Sequence, residues 1–312
     1  MIRAVLALTL RALVVVSGAA LVTFVLLWNA PGDPALAIAL ARFDTIVPAD
    51  VIAQVRAEAG LDAGFWPAFR AWIGPLMVGD LGRSSVTGRE VWPDLLRAIS
   101  YTVPLALAGL AIGLTIALPL AVVAARKPGS LPDRLAIALA STGAAIPAYW
   151  LGLLLILLFA VQLRWLPAMG ARTPMHLVLP ALTLGLGVAA SLTRIIRSGI
   201  LEARGQRFLP AFRRRGVARG AIERDHVAPH AAIPVITVLG LELAFLLEGA
   251  VMVEVIFGRP GLGGFLVHAI SARDFPKVQA VVLLTALLFV VVNLVIDLAY
   301  QLLDPRIGEH DA

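Results

Sequence analysis

Leu209-Pro210-Ala211-Phe212-Arg213-Arg214-Arg215-Gly216 lies inside a cationic island, Arg194 to Pro234, in an otherwise apolar chain. The island holds Arg194, Arg197, Arg204, Arg207, Arg213, Arg214, Arg215, Arg219 and Arg224, and long apolar segments flank it on both sides. A polar, helix-like run follows Gly216 and is expected to end at Pro229. A basic loop between two membrane spans has two readings. One is the arginine and lysine excess that marks the cytoplasmic face of any inner-membrane protein. The other is a docking surface for a soluble cytoplasmic partner. The loop is too long for a simple turn, and Leu209, Phe212, Val217 and Ile222 recur at roughly helical spacing. Long structured loops are usually functional.

Composition sets the class around this island. Of 312 residues, 60% are hydrophobic and 15% charged, which excludes an ordinary soluble domain and predicts an all-α polytopic membrane protein. The net charge of +6 bears on orientation and contact with membrane lipid. No stretch interleaves basic and aromatic residues, so nucleic acid is not an expected partner. Cysteine is absent, which removes disulfides and thiolate sites.

Four segments are expected. Residues 1–29 form a retained first span with a cytoplasmic N-terminus: Arg3 and Arg11 precede the apolar run Ala12 to Leu27, and Pro31 suits signal cleavage badly. Residues 30–99 form a segment on the outer side. There Pro31-Gly32-Asp33-Pro34 is a turn. Asp50 is the expected N-cap of a short helix whose face is Val51, Ile52, Val55 and Ala59, with Gly60 as its stop. Phe65, Trp66, Phe69 and Trp72 form an aromatic cluster of the kind that seats a segment at a membrane interface. Val91 to Ile99 reads as a short helix on the membrane surface. Residues 100–304 form the main membrane domain, with the basic loop at 198–230, and residues 305–312 a cytoplasmic tail.

Five further spans, six in all, are Thr102–Ala125, Leu135–Leu163, His176–Leu192, Ala232–Ile256 and Val278–Tyr300. Pro104, Pro119, Pro147 and Pro180 lie in or at the ends of these helices, where neighbouring helices satisfy the freed carbonyls. Gly109, Gly113, Gly143, Ala144, Gly185 and Gly187 are small enough for close helix contacts. With the N-terminus inside, 15 of the 26 basic residues fall on the cytoplasmic face, which favours this orientation.

No phosphate-binding loop, zinc-peptidase motif or serine-hydrolase elbow is present, so the chain reads as a transport protein and not an enzyme. Glu242, Glu248, Glu254 and Asp297 lie within apolar spans. Intramembrane acids are either bonded to neighbouring helices or line a solute path. The three glutamates are spaced by six residues and point in different directions. Their helix is therefore either surrounded by protein and cavity or broken near Gly240 or Gly249. Acids on a cavity would favour a cationic or amine-bearing solute. His226 and His230 have the spacing of a helical metal pair, but Pro229 intervenes and no third ligand is near, so no metal site is expected. His268, after a glycine-rich loop, is a weak candidate for touching solute.

Several blocks, in order, resemble the integral-membrane permeases of bacterial ATP-driven (ABC) importers in the dipeptide, oligopeptide and nickel group. They are Ala30-Pro31-Gly32-Asp33-Pro34-Ala35, Gly79-Asp80-Leu81-Gly82-Arg83-Ser84, Ile233-Pro234-Val235-Ile236-Thr237, Val253-Glu254-Val255-Ile256-Phe257, Pro260-Gly261-Leu262-Gly263 and Leu303-Asp304-Pro305-Arg306. The resemblance covers nearly the whole chain and implies a type I importer fold with a small outer insertion after the first helix. Leu166-Pro167-Ala168-Met169-Gly170 and Leu201-Glu202-Ala203-Arg204-Gly205-Gln206-Arg207 look more like the nickel-type than the peptide-type members.

The resemblance also implies a role for the basic loop. In this family a coupling helix after the fourth span carries a Glu-Ala-Ala type motif with a glycine six residues after its first position. Here Gly216 holds the glycine position and Ala211 falls in the alanine pair. Pro210 and Phe212 depart from the motif, and Arg213, Arg214, Arg215 and the upstream Glu202 complete the expected coupling segment. Implied partners are a second homologous permease, two cytoplasmic ATPase subunits holding ATP and magnesium, and a periplasmic or lipoprotein solute-binding protein. No cofactor is expected on this chain. The cargo implied is a peptide, nickel or a metal chelate. The competing class is an ion-coupled secondary transporter using Glu242, Glu248 and Asp297 as ion sites.

Overall fold

The computed structural model describes residues 2–43, 47–76 and 78–303. The described residues are helices joined by turns, with one isolated bridge between Arg83 and Glu90. They group into two compact units, one within Met1–Tyr101 and Pro260–Val290, the other within Thr102–Arg259 and Val291–Ala312.

In the first unit, α1 (Ile2–Trp28) ends before the expected turn, where Gly32 takes φ +97°. A Cβ there would sit 3.0 Å from the Arg273 guanidinium, which donates to the Pro31 carbonyl. Beyond the turn, α2 (Pro34–Phe43) is a helix that the apolar pattern did not reveal. Its Ala35, Ile38 and Ala39 pack with Val55 of α3 (Ala49–Glu58), and Ile52 and Ala59 join them as expected. The N-cap of α3 is Pro48, not Asp50; Asp50 lies in the first turn and makes no capping bond. Gly60 ends this helix at φ +64°. α4 (Phe65–Leu76) carries the aromatic cluster, and its Phe65, Phe69 and Trp72 close on Phe24 of α1 at 5.1–5.5 Å between ring centroids. α12 (Leu262–Ser271) and α13 (Phe275–Leu303) complete the unit through Leu262, Ala280 and Val281, packed with Val91, Leu95 and Ala98. Those last three residues belong to α5 (Val91–Arg126). The expected surface helix Val91 to Ile99 is thus continuous with the second span. Pro104 does not break it, because the ring is tolerated where other groups take up the freed carbonyl.

The second unit is built on α8 (Met175–Arg204). Leu192, Ile196, Ile200 and Ala203 bury one face of it, in the helical register of a packed stripe. Glycines set the distance to α5. A Cβ at Gly185 would stand 2.7 Å from Ile112 and 2.8 Å from the Gly109 carbonyl, and one at Gly113 would stand 2.6 Å from Val188. In a bilayer such close van der Waals packing replaces the hydrophobic drive between helices. Gly143 approaches Ala190 in the same way, but Gly187 meets nothing within 4 Å and Ala144 is exposed, so those two make no such contact. The third span is not one straight helix. α6 (Leu131–Ala145) and α7 (Ala148–Leu155, extended by π turns to Gln162) meet at 102°. Pro147 causes the bend: it forces Ile146 into an extended conformation, ψ 122°.

α11 (Ala228–Ile256) is unbroken through Gly240 and Gly249, which corrects the alternative of a broken helix. Gly240 instead admits Ile296 of α13, which a Cβ would overlap at 1.8 Å. Among the described residues, four helices are long and apolar enough to cross a membrane, and the bent pair makes a fifth if it is one span. Ala12–Trp28 is a shorter apolar helix among the described residues.

Candidate functional site: the basic loop and its clasp

The loop begins where α8 ends. Arg204 closes its base: Nε and Nη2 donate to the Glu223 carboxylate, both at 3.0 Å, and Nη1 donates to the Ala125 carbonyl at the end of α5. The pair is mostly sheltered, at 21% and 30% side-chain exposure, so it is worth more than an open surface pair. A second ion pair stiffens the same helix, with Arg197 Nε and Nη2 on the buried Asp133 of α6 at 2.5 and 2.8 Å.

Inside the clasp, α9 (Leu209–Arg214) is a short helix with Pro210 at its start, where a missing N–H costs nothing. Leu209 is buried in the core of the unit. Phe212 packs against that core and stacks on the His226 ring at 4.1 Å between centroids. Phe208 stands edge-on to Phe212 and 5.4 Å from His230. The two histidines therefore serve as a seat for the phenylalanines. Among the described residues no group of three metal-binding side chains occurs.

The end of α9 explains Gly216. Val217 N donates to Phe212 O and Gly216 N to Arg213 O, both at 3.1 Å, while Gly216 takes φ +77°. This paired closure of a helix end requires a left-handed residue, and glycine adopts it without strain. Arg213, Arg214 and Arg215 project from this closed turn, exposed and without an ion pair to any described residue. Pro210, Ala211 and Gly216 are exposed as well. The tip is thus rigid, cationic and uncovered.

The run after Gly216 does not end at Pro229. α10 (Arg219–Ile222) passes through a π-helical turn, Glu223–Val227, straight into α11. A wider turn just before the proline shifts the hydrogen-bond register where its N–H is missing.

The acids separate by environment. Glu254 is wholly buried and accepts from Thr102 Oγ1 at 2.5 Å. Glu242 is half-buried on α11. Glu248 and Asp297 lie in α11 and α13, and their side chains are outside the described ones. His268 is exposed on α12. Glu202 is exposed and lines a groove of about 320 Å³ with Ser191, Arg194, Ile195, Ser198, Gly199 and Pro234. Arg306 and the expected tail lie outside the described residues. The Arg204–Glu223 clasp and the Phe212–His226 stack were missed at the sequence level. The only signal was a glutamate 19 residues after an arginine, across a loop of unknown path.

Residues 117–309 match the family described as the binding-protein-dependent transport system inner membrane component. The glutathione transport system permease protein GsiC of Salmonella paratyphi A is 37% identical over 288 residues, covering 92% of this chain and 93% of that protein. Its counterpart in Escherichia coli strain K12 is 37% identical over 277 residues, 89% of each. A chain of the MetNI methionine ABC transporter, in an inward-facing conformation, superposes with a TM-score of 0.58 at 20% identity, over 68% of this chain and 96% of that one. An amino acid ABC transporter gives 0.54 at 18% identity, over 67% and 94%. These structural likenesses establish a shared fold, the type I importer transmembrane fold. The family sets the chain in the inner membrane as a transport protein that works with a binding protein and an ATPase, which replaces the ion-coupled alternative. The chain belongs to the binding-protein-dependent inner-membrane components: it is the permease of an ABC importer.

Proposed function

We propose that this permease imports peptide-type solutes of the size and charge of glutathione, and that α9 is where an ATPase subunit drives it. The observation that carries the reading is the closed turn at Gly216, which presents Arg213, Arg214 and Arg215 uncovered on a helix whose other side is anchored by Leu209 and Phe212. An exposed cationic knob on a rigid mount suits an acidic groove on a soluble subunit. The 37% identity to permeases named for glutathione supports the choice of cargo. Nickel and metal chelates are the less supported cargo.

In this reading the basic loop and both termini are cytoplasmic, and residues 30–99 lie outside. Six helices cross the membrane, Ala12–Trp28 with its preceding turns being the first. A second, homologous permease completes the path, with Glu242, Glu248, Glu254, Asp297 and His268 of this chain on or near it. ATP and magnesium bind on two ATPase subunits, and this chain holds no cofactor. ATP-driven closure of those subunits moves α9, and the clasp at Arg204 passes the motion to α8 and α5. The test is uptake of radiolabelled glutathione into proteoliposomes holding both permeases, the ATPases and the binding protein. Uptake that needs ATP inside and binding protein outside supports the reading. Uptake by the permeases alone, driven by an ion gradient, overturns it.

A further inference from the structure

Residues 127–130 turn α5 into α6 beside the clasp, since Arg204 Nη1 donates to the Ala125 carbonyl just before the turn. The turn is therefore on the same membrane face as the basic loop. Three cations crowd it. Arg126, Lys127 and Arg134 are exposed, and none forms an ion pair with another described residue. Asp133 is the single acid between Arg126 and Leu139, and its charge is turned inward. It is 2% exposed and accepts from Arg197 Nε and Nη2 at 2.5 and 2.8 Å and from Gly129 N at 2.8 Å. The turn thus presents three positive charges and no negative one. Apolar side chains lead away from it along both helices. On α6, Leu131, Leu135 and Leu139 recur every four residues and are 69%, 53% and 64% exposed. On α5, Leu118 and Val122 are exposed in line with Arg126, again four residues apart. An uncovered leucine row on a membrane helix faces acyl chains, which are as apolar as leucine itself. Basic side chains at the end of such a row reach the headgroup layer.

We propose that the α5–α6 turn is a binding site for one anionic phospholipid, with Arg126, Lys127 and Arg134 around the headgroup phosphate and the leucine row of α6 along an acyl chain. The site goes beyond the import reading and holds whatever solute is carried. A soluble subunit would meet the cations and leave the leucines bare, whereas a lipid covers both. The inward pairing of Asp133 belongs to the site, because a free carboxylate there would repel a phosphate.

In the test, the assembled transporter in mild detergent is titrated with phosphatidylglycerol or phosphatidylcholine, and native mass spectrometry counts the bound lipid. Saturable binding of phosphatidylglycerol is expected, at lower concentration than phosphatidylcholine. Arg126→Gln with Arg134→Gln should weaken one phosphatidylglycerol site by about 30-fold, from about fivefold per basic residue near the surface. Arg207→Gln with Arg219→Gln removes the same charge from the basic loop and should leave that site unchanged. Equal weakening by both pairs would reduce the effect to bulk charge and overturns the proposal. Glycerol 3-phosphate has the headgroup phosphate and no chains; competition by it as strong as that of the lipid overturns the proposal in favour of a free phosphate. A second measurement needs no variant. Phosphatidylglycerol with a photoactivatable acyl chain, in nanodiscs holding the unmodified transporter, is expected to crosslink within residues 131–139. No crosslink there overturns the proposal. A crosslink that appears only after the ATPase subunits are stripped assigns the turn to those subunits and overturns it as well.

Discussion

Asp274 grips the loop at 79–90 through its middle, whereas Arg204 grips the basic loop only at its base. In the first case a carboxylate at 2% exposure accepts from Ser84 Oγ and from Ser85 N at 2.9 Å, and Arg42 Nε donates to the Ser85 carbonyl at 2.7 Å. In the second case the clasp and two aromatic side chains fix the root, and the turn Arg213–Gly216 stands clear. A loop pinned at its centre has its shape decided within the chain. A loop pinned at its base has a shaped tip and leaves its contacts to a partner. On the proposed reading, the difference separates a structural loop from an actuating one, although both are polar and glycine-containing in sequence.

The largest effect that bears on this contrast is expected from Asp274→Ala. It leaves Ser84 and Ser85 without their acceptor and Lys277, 3.7 Å away, without one of its two carboxylates. A loss of about 3 kcal/mol is expected for removing one side of a buried charged network. Thermal unfolding in detergent reads it, and a Tm unchanged from wild type would break the contrast. Arg204→Ala comes next, at about 1–2 kcal/mol, discounted because the pair is partly exposed. Its effect should be local: amide exchange across 205–222 accelerates about tenfold, for the same energy, while the core of α8 stays protected. Equal acceleration throughout α8 would mean that the clasp supports the fold and not the loop.

Gly216→Val follows, with about 1 kcal/mol of strain from placing a branched side chain at φ +77°. No atom lies within 4 Å of a Cβ there, so the fold itself has room for the side chain. The prediction is uptake reduced several-fold with ATP hydrolysis retained; normal uptake would contradict the actuating role. The smallest effect is one of pH on the pinned side. Hydrogen bonds from Arg42 and Gln54 hold the Glu58 carboxyl below its ordinary value of 4.5. A lowered folded value means that the contribution is present above the ordinary value and fades as pH falls through the folded one. Arg42→Ala should therefore bring the Glu58 titration, followed by carboxyl NMR, back up towards 4.5. An unmoved titration would show that Arg42 serves only Ser85.

Much of this was legible in the sequence, and the rest was hidden for definite reasons. Long apolar runs located the long helices α5, α8, α11 and α13, and Gly32 and Gly60 marked real stops because a left-handed backbone strongly favours glycine. The bend at Pro147 was within reach, since the residue before proline avoids the helical region, but a continuous apolar pattern masked it. α2 was missed because only one of its faces is covered and its composition is nearly uniformly apolar. The resemblance pointed to Gly216, but its reason, the closure of α9, is a hydrogen-bond geometry. Arg204 and Glu223, and Arg42 and Ser85, are brought together by loop paths that no periodicity encodes. Glu242 stood out as an intramembrane acid.

The central claim is that the Arg213–Gly216 turn meets an ATPase on the cytoplasmic face. The chain has no cysteine, so Arg214→Cys gives a single reporter at that turn. Labelling with a membrane-impermeant maleimide measures it most directly, in intact cells and in inverted vesicles with and without the ATPase subunits. The account predicts no labelling in intact cells, strong labelling in stripped inverted vesicles, and protection when the ATPases are restored. Labelling in intact cells, or equal labelling with and without the ATPases, would contradict it.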